Sequence, residues 1–402
     1  MSRRGDLARV VAGQFLGSLA DSALLIAAIW LLMTRHAAAW TVPALRIGFY
    51  ASFVVMGPFA GALADAFPKR TILVATNLAK AGGCALLASG LHPLAAYALV
   101  GLGTAAHSPA KYGILSELMD SGGLVAANAW IEVATVLSML LGVVLGSVLV
   151  AAHSPLFPAG PPTALQIVAA PAALYLVAAA CCAVVAARPA SDPLALHEPR
   201  NLVRQFARAN AKLWRDGDAR TSLAVTSLFW AAAAALQFIV LRWAMEVLHL
   251  DLSGANLLQG AVAVGMVIGA AAAGRWLHAG DGLRTLPLAL ALGAGLVAMA
   301  AVTAVPVAAA LLLSIGIAAG LLVVPMNAVL QQRGKDLLHP GQSISVQGFA
   351  ENALSIVMLA GYGLLLLLDV PVVACVGALG VLVAMAMLLV MARRSPRRLR
   401  SS

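Results

Sequence analysis

A chain of 402 residues that is 62% hydrophobic and only 10% charged lies far from the roughly 25% charged residues of a soluble domain. Its mean hydropathy of +0.94 marks a polytopic membrane protein, so the net charge of +10 is read by position and not as a nucleic-acid footprint. Cys84, Cys181, Cys182 and Cys375 fall in apolar runs without the spacing of a metal site or a disulfide framework, and read as small apolar fillers. No metal or other cofactor is expected.

Apolar runs bounded by Pro, Gly or charge predict an all-α fold of about twelve spans. The first six lie near 10–33, 43–64, 71–90, 94–118, 125–150 and 164–187. The second six lie near 221–246, 254–276, 285–303, 307–330, 344–366 and 371–392. The first run is too long for a signal-peptide core and lacks a cleavage site before a soluble body, so it counts as a span. The expected organisation is a six-span half over 1–187, a cytoplasmic linker over 188–220, a second six-span half over 221–392 and a basic tail over 393–402. With the N-terminus inside, 21 of the 26 Lys and Arg fall on the cytoplasmic side, which puts both termini there.

Within the linker, Leu202, Phe206, Leu213 and Trp214 share one helical face, and Arg204, Arg208, Lys212 and Arg215 lie mostly around the other. Such a helix suits an anionic lipid surface or serves as a solvated connector.

After the second span comes Gly61-Ala-Leu-Ala-Asp65-Ala-Phe-Pro-Lys69-Arg70. Two six-span halves with this loop resemble the major facilitator superfamily, whose signature there is a Gly, an Asp four on and a basic pair. The resemblance implies a substrate site between the halves at mid-membrane. Gly61 would permit close helix contact, while Asp65, Lys69 and Arg70 would latch loops when the carrier faces outward. Pro68 replaces the usual glycine, and the matching stretch of the second half, Gly269 to Arg275, lacks the acid.

Ionisable groups at membrane depth are costly and face an interior or a wet cavity. They are Asp21, Lys80, Lys111, Glu117, Glu132, Arg242 and Glu351. Glu117 is near a span end and can snorkel, and Lys80 reads as structural packing. Lys111 breaks the run at 94–118 together with Pro109. At about 1.5 Å per residue, Asp21 falls near mid-membrane, whereas Lys111, Glu132 and Glu351 share a level roughly 10 Å inside the cytoplasmic boundary. Lys111 is thus offered Glu132, Asp21 or Glu351 as partner, with Ser22 and Asn352 as neutral neighbours. Gln237 lies near mid-membrane in the seventh span, with Arg242 closer to the outer face. The bland alternative is a set of buried bridges that only hold the halves in register.

Further blocks sharpen the resemblance: Gln14-Phe-Leu-Gly-Ser-Leu-Ala-Asp21, Ser108-Pro-Ala-Lys-Tyr-Gly-Ile-Leu115, Thr226-Ser-Leu-Phe-Trp230, Val324 to Lys335, and Glu351-Asn352. Together they resemble the bacterial lysophospholipid transporters over nearly the whole chain. The resemblance implies that lysophosphatidylethanolamine and lysophosphatidylglycerol are moved from the outer to the inner leaflet of the inner membrane. A partner acyltransferase and acyl-carrier-protein synthetase would reacylate them there. Expected substrate contacts are Asp21, Ser22, Lys111, Tyr112, Glu132, Gln237, Arg242, Glu351 and Asn352. Lys111 would attract the phosphate, and the acids would accept from an ammonium or a glycerol hydroxyl. A monomer with lipid neighbours and no nucleic-acid partner is expected.

The family pattern has Asn after the acid of the first span and Arg in the seventh, where this chain has Ser22 and Gln237. Arg242 stands five residues on, about 7.5 Å along and about 140° around the helix, which is a different place. The competing reading is a proton-coupled drug or small-molecule exporter working through Asp21 or Glu132. An enzyme is set aside, because no His is followed five residues on by Asp and no Gly-x-Ser-x-Gly or Walker loop occurs.

Overall fold

A computed structural model of the chain describes residues 3–37, 41–120, 122–151, 163–196 and 199–393. All the described regular structure is helical. In chain order the helices are α1 (Arg3–Thr34), α2 (Thr41–Ala66), α3 (Lys69–Ala88), α4 (Pro93–Leu118), α5 (Leu124–Val150) and α6 (Ala164–Ala183). Then come α7 (Leu202–Arg215), α8 (Gly217–Glu246), α9 (Leu252–Trp276), α10 (Leu286–Met299), α11 (Val305–Leu337), α12 (Pro340–Leu367) and α13 (Val372–Ala392). The basic tail beyond Arg393 lies outside the described residues.

Among the described residues, eleven helical segments are long and apolar enough to cross a membrane, α10 counting together with the turn before it as Gly280–Met299. The expected twelfth, α4, is 26 residues long but is diluted by His107, Ser108 and Lys111. His107 and Lys111 are buried inside the protein, so α4 keeps its polar groups off its outer surface. Spans start where caps satisfy the first orphan amides. Asp216 accepts from Ala219 N at 2.9 Å to open α8, and Asp251 accepts from Gly254 N at 2.9 Å to open α9. Helix α1 begins at Arg3, ahead of the apolar run expected near 10–33. Asp6 sits in its first turn, where a carboxylate suits the helix dipole, and pairs with Arg9 at 2.9 Å.

By contacts the chain forms two compact units. The first comprises Met1–Asp120, Trp130–Asn210 and Gly334–Phe349; the second comprises Ser121–Ala129, Ala211–Arg333 and Ala350–Ser402. The division therefore differs from linear halves at two places: the start of α5 belongs to unit two, and the first turns of α12 belong to unit one.

In unit one, α2 packs on α4, α3 on α4 and α6, and α1 on α6 and α4. Leu24, Leu32, Leu87, Val100, Ile167 and Tyr175 are buried in its core. Gly142 lets α5 close on α1, because a Cβ there would stand 2.5 Å from Leu19 O and 2.7 Å from Ser22 Cβ. In unit two, α10 packs on α13, and α8 packs on α13 and α9. There Gly265 and Gly269 of α9 face Gly316 and Gly320 of α11, each without room for a Cβ. Small residues at such crossings let backbones approach where no hydrophobic force separates helix from lipid.

Helix α7 carries apolar residues against the protein and basic residues outward. Leu202 clusters with Ala62 and Ala195, and Phe206 meets Phe349 edge-on at 5.3 Å. That face packs on protein, while Arg204, Arg208, Lys212 and Arg215 are exposed.

Candidate functional site

The polar centre of unit one is a cavity of about 80 Å³ walled by α1, α2, α3 and α4. From α1 come Gln14, Ser18 and Asp21; from α3 comes Lys80; from α4 come Thr104, His107, Ser108 and Lys111. Helical spacing explains the set: Gln14, Ser18 and Asp21, like Thr104, Ser108 and Lys111, recur at four and three residues and so share a face.

Asp21 does not take Lys111 as partner. Its Oδ2 lies 3.1 Å from Lys80 Nζ, and its Oδ1 accepts from the Tyr175 hydroxyl at 2.6 Å. The Lys80 ammonium also stands 5.3 Å from the centroid of the Tyr175 ring. Lys80, expected to be packing only, is therefore the ion partner of the first-span acid and part of the cavity wall. Its stem has room because α4 presents Gly103, where a Cβ would stand 3.1 Å from Lys80 Cγ.

Tyr112 stands between Lys111 and Glu132. The Tyr112 hydroxyl donates to Glu132 Oε1 at 3.4 Å, and the Lys111 ammonium stands 4.3 Å from the Tyr112 ring centroid. Neutral groups complete the wall. Gln14 Nε2 donates to Ser18 Oγ at 2.7 Å and to Thr135 Oγ1 at 2.9 Å. His107 Nδ1 lies 2.9 Å from Thr76 Oγ1.

The loop signature forms a second polar cluster in unit one. Asp65, fully buried, accepts from Gly341 N at 2.9 Å and from Gln342 N at 3.0 Å. It is the side-chain cap of α12. Gly61 makes this possible, because a Cβ there would stand 2.9 Å from Gln342 Cα. Lys69, also buried, reaches Asp65 at 3.6 Å, Glu117 at 3.1 Å and Ser191 Oγ at 2.6 Å. Glu117 thus turns inward to Lys69 instead of snorkelling. Arg70 donates to Val185 O at 3.4 Å.

The remaining sequence-predicted contacts are placed elsewhere. Ser22 packs at the α1–α5 crossing beside Gly142 and is not part of the cavity wall. In unit two Gln237 is exposed on α8, and its carbonyl accepts from Gln259 Nε2 at 2.5 Å. Arg242 is held by Glu246 at 2.6 Å and donates to Val370 O at 3.4 Å, so it is committed to local partners. Glu351 and Asn352 are half-buried on α12. Sequence reasoning missed Lys80, Tyr175, Gln14 and His107 as wall residues or ion partners. Depth held a signal for Lys80, which is about ten residues into its span, roughly 15 Å deep and level with Asp21.

Paired charges around a cavity within an all-helical, multi-pass bundle are the architecture of a membrane transporter. The model for the Major Facilitator Superfamily matches residues 10–357. Among solved structures, the human organic anion transporter MFSD10 (TETRAN) superposes with a TM-score of 0.71 at 18% identity, covering 97% of this chain and 100% of that one. The E. coli fucose:proton symporter FucP gives 0.73 at 14%, covering 97% and 98%. These two speak for the fold alone. The lysophospholipid transporter LplT of Yersinia enterocolitica is 38% identical over 372 residues, 92% of this chain and 89% of its own. That of Serratia proteamaculans is 37% identical over 356 residues, 88% and 87%. The chain belongs to the Major Facilitator Superfamily and, within it, to the family of these lysophospholipid transporters.

Proposed function

We propose that the chain moves lysophosphatidylethanolamine and lysophosphatidylglycerol from the outer to the inner leaflet of the bacterial inner membrane. The observation that carries this reading is the 38% identity to a lysophospholipid transporter across 92% of the chain. The cavity of unit one supports it, because two lysines, a carboxylate, an amide and hydroxyls offer a phosphate headgroup what it lacks in hydrocarbon. The single acyl chain would stay in apolar surroundings. Lys111 attracts the phosphate, with Tyr112 and Glu132 holding that lysine in place, and Asp21 accepts from an ammonium or a glycerol hydroxyl. Gln237, Glu351 and Asn352 are proposed as further substrate contacts; Ser22 and Arg242 are left out because of the contacts they already make.

The mechanism is alternating access of the six-span halves 1–187 and 221–392, with both termini cytoplasmic and the 188–220 linker on the same side. The Asp65 cap and Lys69 cluster act as a latch on one state. The protein is a monomer and a carrier, not an enzyme, and a separate acyltransferase and acyl-carrier-protein synthetase consumes the delivered lysolipid. The test is leaflet-resolved uptake in proteoliposomes carrying labelled lysophosphatidylethanolamine. Wild type moves it faster than empty vesicles, and Lys111→Ala slows it. No movement by wild type overturns the function, and a wild-type rate for Lys111→Ala overturns that residue's role.

A further inference from the structure

We propose that the basic face of α7 docks on an anionic bilayer surface and is held there by charge alone. The inference goes beyond the transport activity and does not depend on which substrate is moved.

Three observations lead to it. First, the basic residues of α7 form one stripe. At about 100° and 1.5 Å per residue, Arg204, Arg208, Lys212 and Arg215 fall within an arc of about 80° along about 16 Å of helix. All four are exposed. The helix itself contains no Asp or Glu, and like charges four residues apart destabilise a helix. Lys212 and Arg215 lie in the last turn, where cations suit the helix dipole, but Arg204 lies in the first turn, where a cation is unfavourable. The stability of α7 thus gives a reason for the last two and none for Arg204 and Arg208.

Second, the apolar face is already taken. Leu202 clusters with Ala62 and Ala195, and Phe206 lies edge-on to Phe349. An interfacial amphipathic helix sinks its apolar face among the acyl chains. Helix α7 has that face on protein, so what it offers a bilayer is charge.

Third, the helix is held at the right level. A Cβ on Gly57 would stand 3.3 Å from Phe206 Cζ, and Gly57 lies inside the expected end of the second span, near residue 64, by about 10 Å. The headgroup layer on each side of a bilayer is roughly 5–8 Å thick. A helix whose phenylalanine reaches that far along a span runs at the headgroup layer, and arginines there reach phosphates along their apolar stems.

The chemistry of the stripe selects the surface. Guanidinium groups take phosphate oxygens in pairs. A zwitterionic lipid balances its phosphate with its own cation, whereas phosphatidylglycerol leaves that charge to the protein. Each basic residue near such a surface gains about fivefold in binding. Through Leu202 and Phe206, docking steadies the packing of α7 on α2 and on the first turns of α12.

The experiment is hydrogen exchange of the full chain in nanodiscs, read on the peptide covering α7. One bilayer is phosphatidylcholine alone, and the other is its equimolar mixture with phosphatidylglycerol. At low salt, wild type is expected to exchange about tenfold or more slowly in the mixture. The difference disappears at about 1 M salt, where the screening length falls to about 3 Å. Arg204→Gln/Arg208→Gln, at about fivefold per residue removed, brings the two bilayers within about twofold of each other. Arg204→Lys/Arg208→Lys keeps the difference, because the attraction needs the charge. Equal exchange of wild type in the two bilayers overturns the proposal and leaves the stripe to an acidic protein. A difference that survives high salt overturns it too, and that arm uses unaltered protein, so it holds even where a variant fails to fold. Inorganic phosphate added to the phosphatidylcholine discs is expected to change nothing; protection equal to that of the mixture would make the stripe a site for soluble anions and overturn the lipid assignment.

Discussion

Asp65 offers the sharpest test of the loop cluster. Its carboxylate is fully buried and accepts two backbone amides at the start of α12, Gly341 N at 2.9 Å and Gln342 N at 3.0 Å. Pro340 has no N–H, so these are the first amides of that helix that need an acceptor. Asp65→Ala removes both bonds and the anion facing the helix dipole. Losing a cap costs about 1–2 kcal/mol, and the charge-assisted bonds place this case at the upper end. About 2 kcal/mol of local destabilisation corresponds to about thirtyfold faster opening. Asp65→Asn keeps an acceptor oxygen and loses the charge, so about half that cost, or about fivefold, is expected. Hydrogen exchange of purified protein, read on the peptide containing Gly341 and Gln342, gives the order wild type, Asn, Ala. Exchange there that stays within about twofold of wild type in Asp65→Ala would refute the cap.

Other perturbations follow from the same contacts. Lys69 is the cation facing both Asp65 and Glu117, so Lys69→Met leaves two carboxylates without it and costs about 3–5 kcal/mol. Loss of the monodisperse peak in detergent is the readout, and a wild-type profile would count against it. Gly269→Ala drives a methyl into Ile317 O of α11 and costs about 1–3 kcal/mol by overpacking. Gly377→Ala, which meets nothing within 4 Å, leaves the melting temperature unchanged or raised, and equal losses in the two variants would refute the close crossing. Burial raises the Asp216 carboxyl, yet hydrogen bonds from Arg333, Ala219 N and Asp218 N and the Arg333 charge hold it below the ordinary carboxylate range. Its contribution is therefore present above the unfolded value of about 3.9 and lost as pH falls through the lower folded one. Asp216→Asn should show a smaller loss of melting temperature than wild type on acidification to about pH 3; identical losses would exclude the linkage.

The spans were readable because each is a run of about 20 apolar residues closed by punctuation such as Asp216, Asp251 or Pro93. The loop signature was readable as a local pattern, but its acceptor role was not: Gly341 and Gln342 lie 276 and 277 residues from Asp65, and no local pattern reports such a distance. Ser22 and Gly142 illustrate a second limit. A serine beside a membrane-depth acid looks like a ligand group until the glycine of another helix is found against it. Arg242 fails similarly, since its partner Glu246 one turn on was an available i,i+4 pair.

Lys80 and Lys111 show why the pairing mattered more than the inventory. Depth places Lys111 level with Glu132 and Glu351 and Lys80 level with Asp21, and the structure pairs Lys80 with Asp21. Asp21 has its counter-ion, Lys80, on α3 within the same unit. The charge that stabilises the acid therefore belongs to the same compact unit as the acid.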